Sequence, residues 1–265
     1  MNDHELAKWL AVEAGNLLLE VRGDIEPLAE DQAAQYDIVA LGNLGDKTAN
    51  DFLMRELKSH RPEDFVLSEE SADPRARLEA KRVWIVDPLD GTSSFSRGYP
   101  GFAVQVALWE FDAQTPGRIT AAAVCVPMIG TTLSTGDVVE SNELIDSQSG
   151  SIRFVSSPTS PPAKLDDLAK HLSNAFSLPV SFERRGSVGA KVVHIVSGHA
   201  DIYVNTRGFN EWDIAAPIAI AHHFGLVSVL PDGSKFEFNQ PDVTVAGAVI
   251  TRPEYLDAIL EITAE

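Results

Sequence analysis

Apolar residues recur along the chain at two different spacings, which predict a mixed order of helices and strands. The first stretch predicts an amphipathic N-terminal helix of about fifteen to twenty residues that packs on a sheet. Its apolar stripe consists of Leu6, Leu10, Ala14, Leu17 and Val21. Beyond the polar residues 23–35, a second helix is predicted over residues 46–57, with Asp46 at its beginning.

Short apolar runs predict the strands of the first half. These runs are residues 65–68, 83–86, 102–109, 119–126 and 131–135. Turn-forming residues separate the last three runs, which are therefore expected to form a meander. The following stretch, residues 137–150, is polar and rich in serine, and it is the best candidate for a boundary between two lobes.

Helices and strands alternate in the second half. Helices are predicted over residues 161–176, 188–197 and 214–224, and strands over 152–155, 180–182 and 202–204. We therefore expect a single compact unit of two closely joined lobes. We expect residues 1–140 to form an N-terminal α+β lobe and residues 151–265 to form a C-terminal α/β lobe.

The charge of the chain limits its partners. The 39 acidic and 21 basic residues give a formal net charge of -18, which argues against a nucleic acid polymer or an anionic membrane as partner. Metal cations would be attracted instead. No early segment is typical of a secretory signal and no apolar run is long enough to span a bilayer, so a cytoplasmic location is expected. The single cysteine, Cys125, is predicted to be a buried strand thiol.

The most informative segment, residues 87–92, reads Asp-Pro-Leu-Asp-Gly-Thr and directly follows the apolar run 83–86. Mg²⁺ prefers near-octahedral oxygen ligands and often takes one or two carboxylates, substrate phosphate oxygens and water. Asp87 and Asp90 can supply the carboxylates, and the carbonyl of Leu89 can add a neutral oxygen. The segment therefore predicts a magnesium site that binds a phosphate ester.

The same segment predicts a sharp turn. Pro88 lacks an N–H, so the strand is expected to stop there. Gly91 is expected to take a positive φ, which lets the N–H groups of Gly91 and Thr92 approach a phosphate oxygen. The alternative is an ordinary strand-to-loop turn, because Asp, Pro and Gly are common in turns.

Acidic residues recur at two other element boundaries. The predicted strand 65–68 runs into Glu69 and Glu70, and Glu211 and Asp213 stand just before an apolar helical pattern. Taken alone, Glu69 and Glu70 are interpreted as a solvated loop and Asp213 as a helix N-cap. The three acidic segments together favour a shared site.

Taken together, these segments resemble the inositol monophosphatase superfamily of magnesium-dependent, lithium-sensitive phosphatases. The resemblance spans residues 6–225 and rests on three motifs in the expected order, at residues 67–70, 84–92 and 212–217. Residues 186–191 and 198–203 also resemble the second half of the superfamily. Residues 82–92 and 211–213 are most similar to the CysQ branch, particularly its long actinobacterial members, which remove the 3'-phosphate from 3'-phosphoadenosine 5'-phosphate.

The resemblance implies a mixed α/β fold with αβαβα layers, a site in a cleft between the lobes, and a possible homodimer. It implies that about two or three Mg²⁺ ions are held by four carboxylates and one carbonyl. These ligands are Glu69, Asp87, Leu89, Asp90 and Asp213. Glu70 is expected to remain outside the ligand set. Asp46 and Thr92 are expected to align the attacking water without a covalent intermediate, although an N-cap role for Asp46 is the alternative.

The resemblance also implies contacts to a small phosphorylated substrate. The candidate residues are Gly91, Thr92, Gly186, Ser187, Lys191 and Glu211. Gly186 and Ser187 stand at a predicted helix start, where N–H groups favour an anion. Lys191 lies one turn further on, and the alternative for it is a solvent-facing helical lysine. Further candidates for a 5'-phosphate are Arg184, Arg185 and Arg207.

The resemblance therefore implies a Mg²⁺-dependent phosphatase that converts 3'-phosphoadenosine 5'-phosphate to AMP. Inositol monophosphate and fructose 1,6-bisphosphate are alternative substrates, because the same metal core would serve them. Residues 93–95 read Ser-Ser-Phe where the inositol enzymes typically have Thr-Asn-Phe, and the usual CysQ lysine is also missing there. A catalytically silent metal- or nucleotide-binding protein is the third alternative, but no expected carboxylate is replaced.

Overall fold

The computed structural model describes residues 1–25, 37–112, 116–139, 150–158 and 164–264. Its α-helices are α1 (Asp3–Arg22), α2 (Ile38–His60), α3 (Thr92–Ser96), α4 (Leu165–Phe176), α5 (Val188–Val196), α6 (Glu211–His223) and α7 (Leu256–Thr263). Its strands in the first half are β1 (Phe65–Ser68), β2 (Arg82–Asp90), β3 (Ala103–Glu110), β4 (Arg118–Val126) and β5 (Thr131–Ser134). Those in the second half are β6 (Ile152–Ser156), β7 (Val180–Arg184), β8 (Ile202–Asn205), β9 (Phe209–Asn210), β10 (Val227–Val229), β11 (Thr244–Val245) and β12 (Ala248–Thr251).

The strands form two five-stranded sheets and a short ribbon. The first sheet has the order β1-β2-β3-β4-β5, in which β1 and β2 are parallel and the other pairs are antiparallel. The second sheet has the order β10-β12-β8-β6-β7, with its parallel pairs around β6. β9 and β11 pair separately as an antiparallel ribbon. The predicted meander is therefore confirmed as β3, β4 and β5.

Five layers of secondary structure stack on one another. Helices α1 and α2 pack on one face of the first sheet, with Leu10, Leu53 and Trp84 in their common core. Helices α5 and α6 lie between the two sheets, where Ile214 packs with Ile85 and Ile250. Helices α4 and α7 cover the outer face of the second sheet. The expected αβαβα layering of a mixed α/β fold is confirmed.

Helix α1 confirms the predicted amphipathic N-terminal helix, and its ends follow from local chemistry. The side chain of Asn2 accepts a hydrogen bond from the N–H of Glu5, and the Glu5 carboxylate accepts one from the N–H of Asn2. This reciprocal cap satisfies N–H groups that have no partner in the first turn. The helix ends at Gly23, which takes a positive φ of 59°.

Helix α2 begins at Ile38, eight residues before the predicted start, with the side chain of Asp37 as its N-cap. Asp46 therefore lies well inside the helix, and the alternative N-cap role for Asp46 is wrong. Two glycines allow α2 to pack closely on α3. A Cβ on Gly42 would lie 2.8 Å from Cγ2 of Thr92, and one on Gly45 would lie 2.7 Å from Cε1 of Phe95. These glycines serve close approach and do not break the helix.

Strand β2 does not stop at Pro88, as the sequence predicted, but continues to Asp90. Asp87 pairs with Gln105 and Asp90 pairs with Ala103, with an irregular register between the two pairs. Pro88 is tolerated because it lies in this irregular stretch, where its missing N–H interrupts no regular ladder.

Other boundaries differ by a few residues. Helix α6 begins at Glu211, before the predicted residue 214. Residues 161–163 of the predicted helix 161–176 lie outside the described residues, and α4 begins at Leu165. Most of the polar stretch 23–35 and of the predicted lobe boundary 137–150 also lies outside them.

The structure bears on two further features of the sequence, the single cysteine and the lack of a long apolar run. Cys125 lies on β4 with 5% of its surface exposed, and burial raises the pKa of its thiol, as expected for a strand thiol. Within the part of the chain that the structure describes, no helix is long and apolar enough to cross a membrane.

The close packing of α2 on α3 can be tested with Gly45→Ala. Alanine favours a helix over glycine, but the added Cβ would collide with the buried ring of Phe95. We expect a loss of about 1–3 kcal/mol in the free energy of unfolding, measured by urea denaturation. Asn43→Ala, at an exposed position of the same helix, is the control and should not destabilise the protein. Equal stability of the two variants would contradict the close approach.

Candidate active site

Four predicted metal ligands meet where the first sheet ends against helix α6. Glu69 directly follows β1, whose Ser68 pairs with Val86 of β2, so Glu69 lies beside the start of the Asp87–Asp90 segment. Asp213 approaches from the first turn of α6. The charges of Asp90, Glu69 and Asp213 all act on Asp87, which shows that the four carboxylates lie close to one another.

Burial and crowding make three of these four carboxylates, those of Asp87, Asp213 and Glu69, unusually weak acids. Asp87 is fully buried, and its pKa is raised well above the ordinary value by burial and then by the charges of Asp90, Glu69 and Asp213. Burial and the Asp90 charge raise the pKa of Asp213 to about 7. Burial of its inner side and the Asp213 charge raise the pKa of Glu69 to about 7, although Glu69 also faces solvent. The site therefore favours bound cations, either protons or metal ions.

Asp90 is held by donors from both halves of the molecule. Its Oδ2 accepts hydrogen bonds from Oγ of Ser187 at 2.6 Å and from the N–H of Gly189 at 2.9 Å. It accepts a third from Nε2 of Gln105, which is fully buried on β3. Three donors on one oxygen fix the carboxylate, and none of them engages Oδ1.

Asp87 and Asp213 are each held by a single backbone N–H. Oδ1 of Asp87 accepts from the N–H of Leu89 at 3.0 Å, whereas Oδ2 is buried without a hydrogen-bond partner among the described residues. Oδ2 of Asp213 accepts from the N–H of Asn210 at 2.7 Å. Asn210 is the N-cap of α6 and Asp213 completes the capping box, so the alternative N-cap role for Asp213 is wrong.

Helix α2 fixes the turn that carries Glu69. Oγ of Ser68 donates to Oδ1 of Asn50 at 2.8 Å, and Nδ2 of Asn50 donates to Oγ of Ser71 at 3.2 Å. Asn50 lies one helical turn after Asp46, so a single helix positions both the Glu69 turn and the Asp46 carboxylate.

Asp46 and Thr92 lie next to each other, as the family resemblance implied. Oγ1 of Thr92 is 3.4 Å from Oδ1 of Asp46 and 3.2 Å from the carbonyl oxygen of Leu89. Burial and the nearby charge of Glu70 raise the pKa of Asp46 to about 6. A carboxylate with that pKa can accept a proton near neutral pH.

The chemistry of these groups fits a hard divalent cation. An unpartnered buried carboxylate oxygen on Asp87 costs free energy unless a cation or proton compensates it. Carboxylate and carbonyl oxygens are the ligands that Mg²⁺ prefers. In the described ranges, no three acidic, histidine or cysteine side chains already surround one point, so ligation requires side-chain adjustment.

Segments from both halves also meet at the predicted substrate contacts. Gly91 takes a φ of 91°, as predicted, and a Cβ there would lie 3.3 Å from Cβ of Ser187. A Cβ on Gly186 would lie 2.7 Å from the backbone carbonyl oxygen of Gly101. Ser187 is the N-cap of α5, which confirms the predicted helix start. Only glycine allows these backbones to approach so closely.

Lys191 and Glu211, two predicted substrate contacts, are both buried. Lys191 is 3% exposed, so the alternative of a solvent-facing lysine is wrong. Its Nζ donates to the carbonyl of Ser187 at 2.9 Å, and burial lowers its pKa to about 8. Glu211 is 1% exposed, and its two carboxylate oxygens accept backbone N–H groups of Asn239 and Gln240. Those bonds occupy both carboxylate oxygens of Glu211, which argues against a contact with the substrate.

Three residues that hold the acids were missed in the sequence. Gln105 interrupts the apolar run 102–109, and a lone amide in a buried strand is a usable signal for a buried hydrogen bond. Asn50 and Gly189 carried no such signal, because Asn on a helix and Gly near a helix start have many ordinary roles. Gly189 has no room for a side chain, since a Cβ would lie 2.8 Å from Cγ1 of Val124.

Comparison with known proteins finds similarity along nearly the whole chain. The model of the inositol monophosphatase family matches residues 3–264. The 3'-phosphoadenosine 5'-phosphate phosphatase of Mycobacterium bovis is 39% identical over 254 residues, covering 96% of this chain and 90% of that protein. The phosphatase of the same name from Mycobacterium leprae is 38% identical over 270 residues, covering 100% of this chain and 94% of that protein.

A solved structure supports the fold independently. CysQ from Bacteroides thetaiotaomicron superposes with a TM-score of 0.72 at 19% identity, covering 93% of this chain and 96% of that one. At that identity the likeness concerns the fold alone. The match of the family model over residues 3–264 shows that the chain belongs to the inositol monophosphatase family.

The raised pKa values predict how pH affects the metal-free protein. Unfolding lets Asp213 ionise near pH 3.8, whereas in the folded protein its pKa is about 7. Between these values the folded state binds more protons, so this carboxyl lowers the free energy of unfolding as pH rises. In EDTA, Asp213→Asn should therefore show a smaller loss of stability between about pH 4 and 7 than the wild type, measured by urea denaturation.

Asp257→Asn is the matched control, because Asp257 is an exposed aspartate in the first turn of α7. It should keep the wild-type pH dependence. The raised pKa of Asp213 would be contradicted if Asp213→Asn and the wild type lost stability in parallel over this range.

Proposed function

We propose that this protein is a Mg²⁺-dependent phosphatase that removes the 3'-phosphate from 3'-phosphoadenosine 5'-phosphate to give AMP. The observation that carries the proposal is the cluster of Glu69, Asp87, Asp90 and Asp213, including the unpartnered oxygen of Asp87. The resemblance of both mycobacterial phosphatases along nearly the whole chain supports the choice of substrate.

The proposed ligands are the four carboxylates and the carbonyl of Leu89. When bound, about two or three Mg²⁺ ions would lower the pKa of a water and neutralise phosphate charge. Because phosphoryl transfer depends mainly on positioning and charge neutralisation, the site needs no serine or cysteine nucleophile.

Thr92 and Asp46 are proposed to position the attacking water. The hydroxyl of Thr92 donates toward Asp46 and the Leu89 carbonyl, which leaves its oxygen able to accept a hydrogen bond from water. Since the pKa of Asp46 is about 6, its carboxylate can take up the proton that the water loses. Both groups sit on rigid elements, α2 and the start of α3, so the water would be held in one orientation.

The nucleotide is proposed to contact the junction of α3 and α5. Gly91, Gly186 and Ser187 bring two helix starts together there, and N–H groups at helix starts favour phosphate oxygens. The buried ammonium of Lys191 interacts electrostatically with Asp90 and adds positive charge to a strongly acidic chain. Arg185 is half-buried beside this junction, whereas Arg184 and Arg207 are exposed, which favours Arg185 for the 5'-phosphate.

Substrate choice is tested by measuring phosphate release from three esters side by side, with Mg²⁺ and with EDTA. We expect Mg²⁺-dependent hydrolysis with the highest kcat/KM for 3'-phosphoadenosine 5'-phosphate. A preference for inositol 1-phosphate or fructose 1,6-bisphosphate would overturn the nucleotide assignment. Undiminished hydrolysis in EDTA would overturn the metal mechanism, and no hydrolysis of any ester would favour the silent binding protein.

Asp90→Asn tests the carboxylate that both halves hold. The amide keeps the shape of the side chain but removes the ligand charge, so the fold should persist while kcat falls. We expect a fall of at least about 100-fold, which exceeds the usual effect of a residue that only supports a metal ligand. Circular dichroism and phosphate release measure the two properties. Asp51→Asn, an exposed aspartate on α2, is the control and should retain wild-type activity. Retention of most activity in Asp90→Asn would refute its role as a ligand.

A further inference from the structure

A buried set of hydrogen bonds joins the chain segment after Glu69 to the start of the helix that carries Asp213. We call it the Arg77 bridge, and it consists of Arg77, Asn239, Gln240 and Glu211. Arg77 lies in a 3₁₀ turn (Arg75–Glu79) and is fully buried, and Asn239 and Glu211 are also buried. None of the four belongs to the proposed ligands or substrate contacts.

Arg77 forms the first half of the bridge. Its Nη1 donates to Oδ1 of Asn239 at 2.6 Å, and its Nη2 donates to the carbonyl of Gln240 at 2.9 Å. Nδ2 of Asn239 donates back to the carbonyl of Arg77 at 3.2 Å, and Asp73 accepts from Nε at 2.7 Å. A planar guanidinium with several fixed partners defines one orientation.

Glu211 forms the second half. Its Oε2 accepts from the N–H of Asn239 at 2.6 Å and its Oε1 from the N–H of Gln240 at 2.7 Å. The N–H of Glu211 donates to the carbonyl of Val243 at 2.8 Å. The first residue of α6 is thus bound on both its side chain and its backbone, and Asp213 follows two residues later.

We propose that Arg77, Asn239 and Glu211 are positioning residues that hold Asp213 against Glu69 and thereby set the affinity of the site for divalent cations. The inference rests on the proposed metal site. Glu69 and Asp213 lie on segments that are far apart in the chain, so a contact between these segments is needed to fix the position of one carboxylate relative to the other. The Arg77 bridge supplies that contact from outside the ligand set.

Asn239→Gly tests the bridge with little strain. Asn239 has a φ of 60°, a conformation that glycine adopts freely. The change removes both side-chain bonds to Arg77 and keeps the backbone N–H that binds Glu211. By isothermal titration calorimetry, we expect the dissociation constants of Mg²⁺ and Mn²⁺ to rise about tenfold. At saturating Mg²⁺, kcat should stay within about threefold of wild type, since the ligands themselves remain.

Arg75→Ala is the matched control. Arg75 donates to the carbonyl of Pro241 in the same segment, but its side chain is 63% exposed and contacts neither Asn239 nor Glu211. It should bind Mg²⁺ as the wild type does. A loss of affinity as large as that of Asn239→Gly would overturn the assignment to the bridge.

A double-mutant cycle separates positioning from general stability. Glu211→Gln breaks the other half of the bridge, because one accepting oxygen becomes an NH₂ group. If the two halves act as one unit, the double variant should bind Mg²⁺ little more weakly than the weaker single variant. Fully additive effects would overturn the inference.

The inference would also fail if both single variants bound Mg²⁺ as tightly as wild type, even with lower urea midpoints. That result would give the bridge a purely structural role. The calorimetric measurement needs no substrate, so it remains decisive if the protein turns out to hydrolyse a different ester.

Discussion

Repulsion among carboxylates crowded at the ends of β1 and β2 is the constraint on which the rest of the site depends. Burial and mutual charge raise the pKa values of Asp87, Glu69 and Asp213, and the fold holds these groups together nevertheless. It does so with neutral donors: N–H groups bind Asp87 and Asp213, and an amide, a hydroxyl and an N–H bind Asp90. Neutral donors fix the acids without neutralising them, so their charge remains available to a cation.

The same contacts join the two halves of the molecule. Asp90 ends a strand of the first sheet, while Ser187 and Gly189 begin a helix that packs between the sheets. The hydroxyl of Ser187 donates a hydrogen bond to Asp90 and accepts one from the N–H of Ala190. One side chain therefore caps the helix and fixes the Asp90 carboxylate. The site therefore forms only where both sheets and the helices between them are assembled.

The sequence predicted the elements whose position depends on residues that are close together in the chain. The strands before Glu69 and Asp87, the turn at Gly91 and the helix start at Ser187 all follow from short apolar runs and residues with a limited conformational range. The early start of α2 was missed because Gly42 and Gly45 resemble helix breakers, and their real role, close packing on α3, is a tertiary contact.

The polar residues that bind the site acids from distant segments could not be predicted from the spacing of apolar and polar residues. The acids were identified through their recurrence at element boundaries and a family resemblance, but the groups that hold them come from distant segments. Gln105, Asn50 and Gly189 act through such contacts. For Glu211, a position beside a motif suggested a substrate contact. Its carboxylate oxygens instead accept hydrogen bonds from backbone N–H groups far along the chain.

Anomalous diffraction from crystals grown with Mn²⁺ in place of Mg²⁺ tests most directly that these acids gather divalent ions. The account predicts strong anomalous peaks within bonding distance of Asp87 and Asp90, with Glu69 or Asp213 completing the coordination. A well-ordered structure with saturating Mn²⁺ and no peak among these four carboxylates would contradict it.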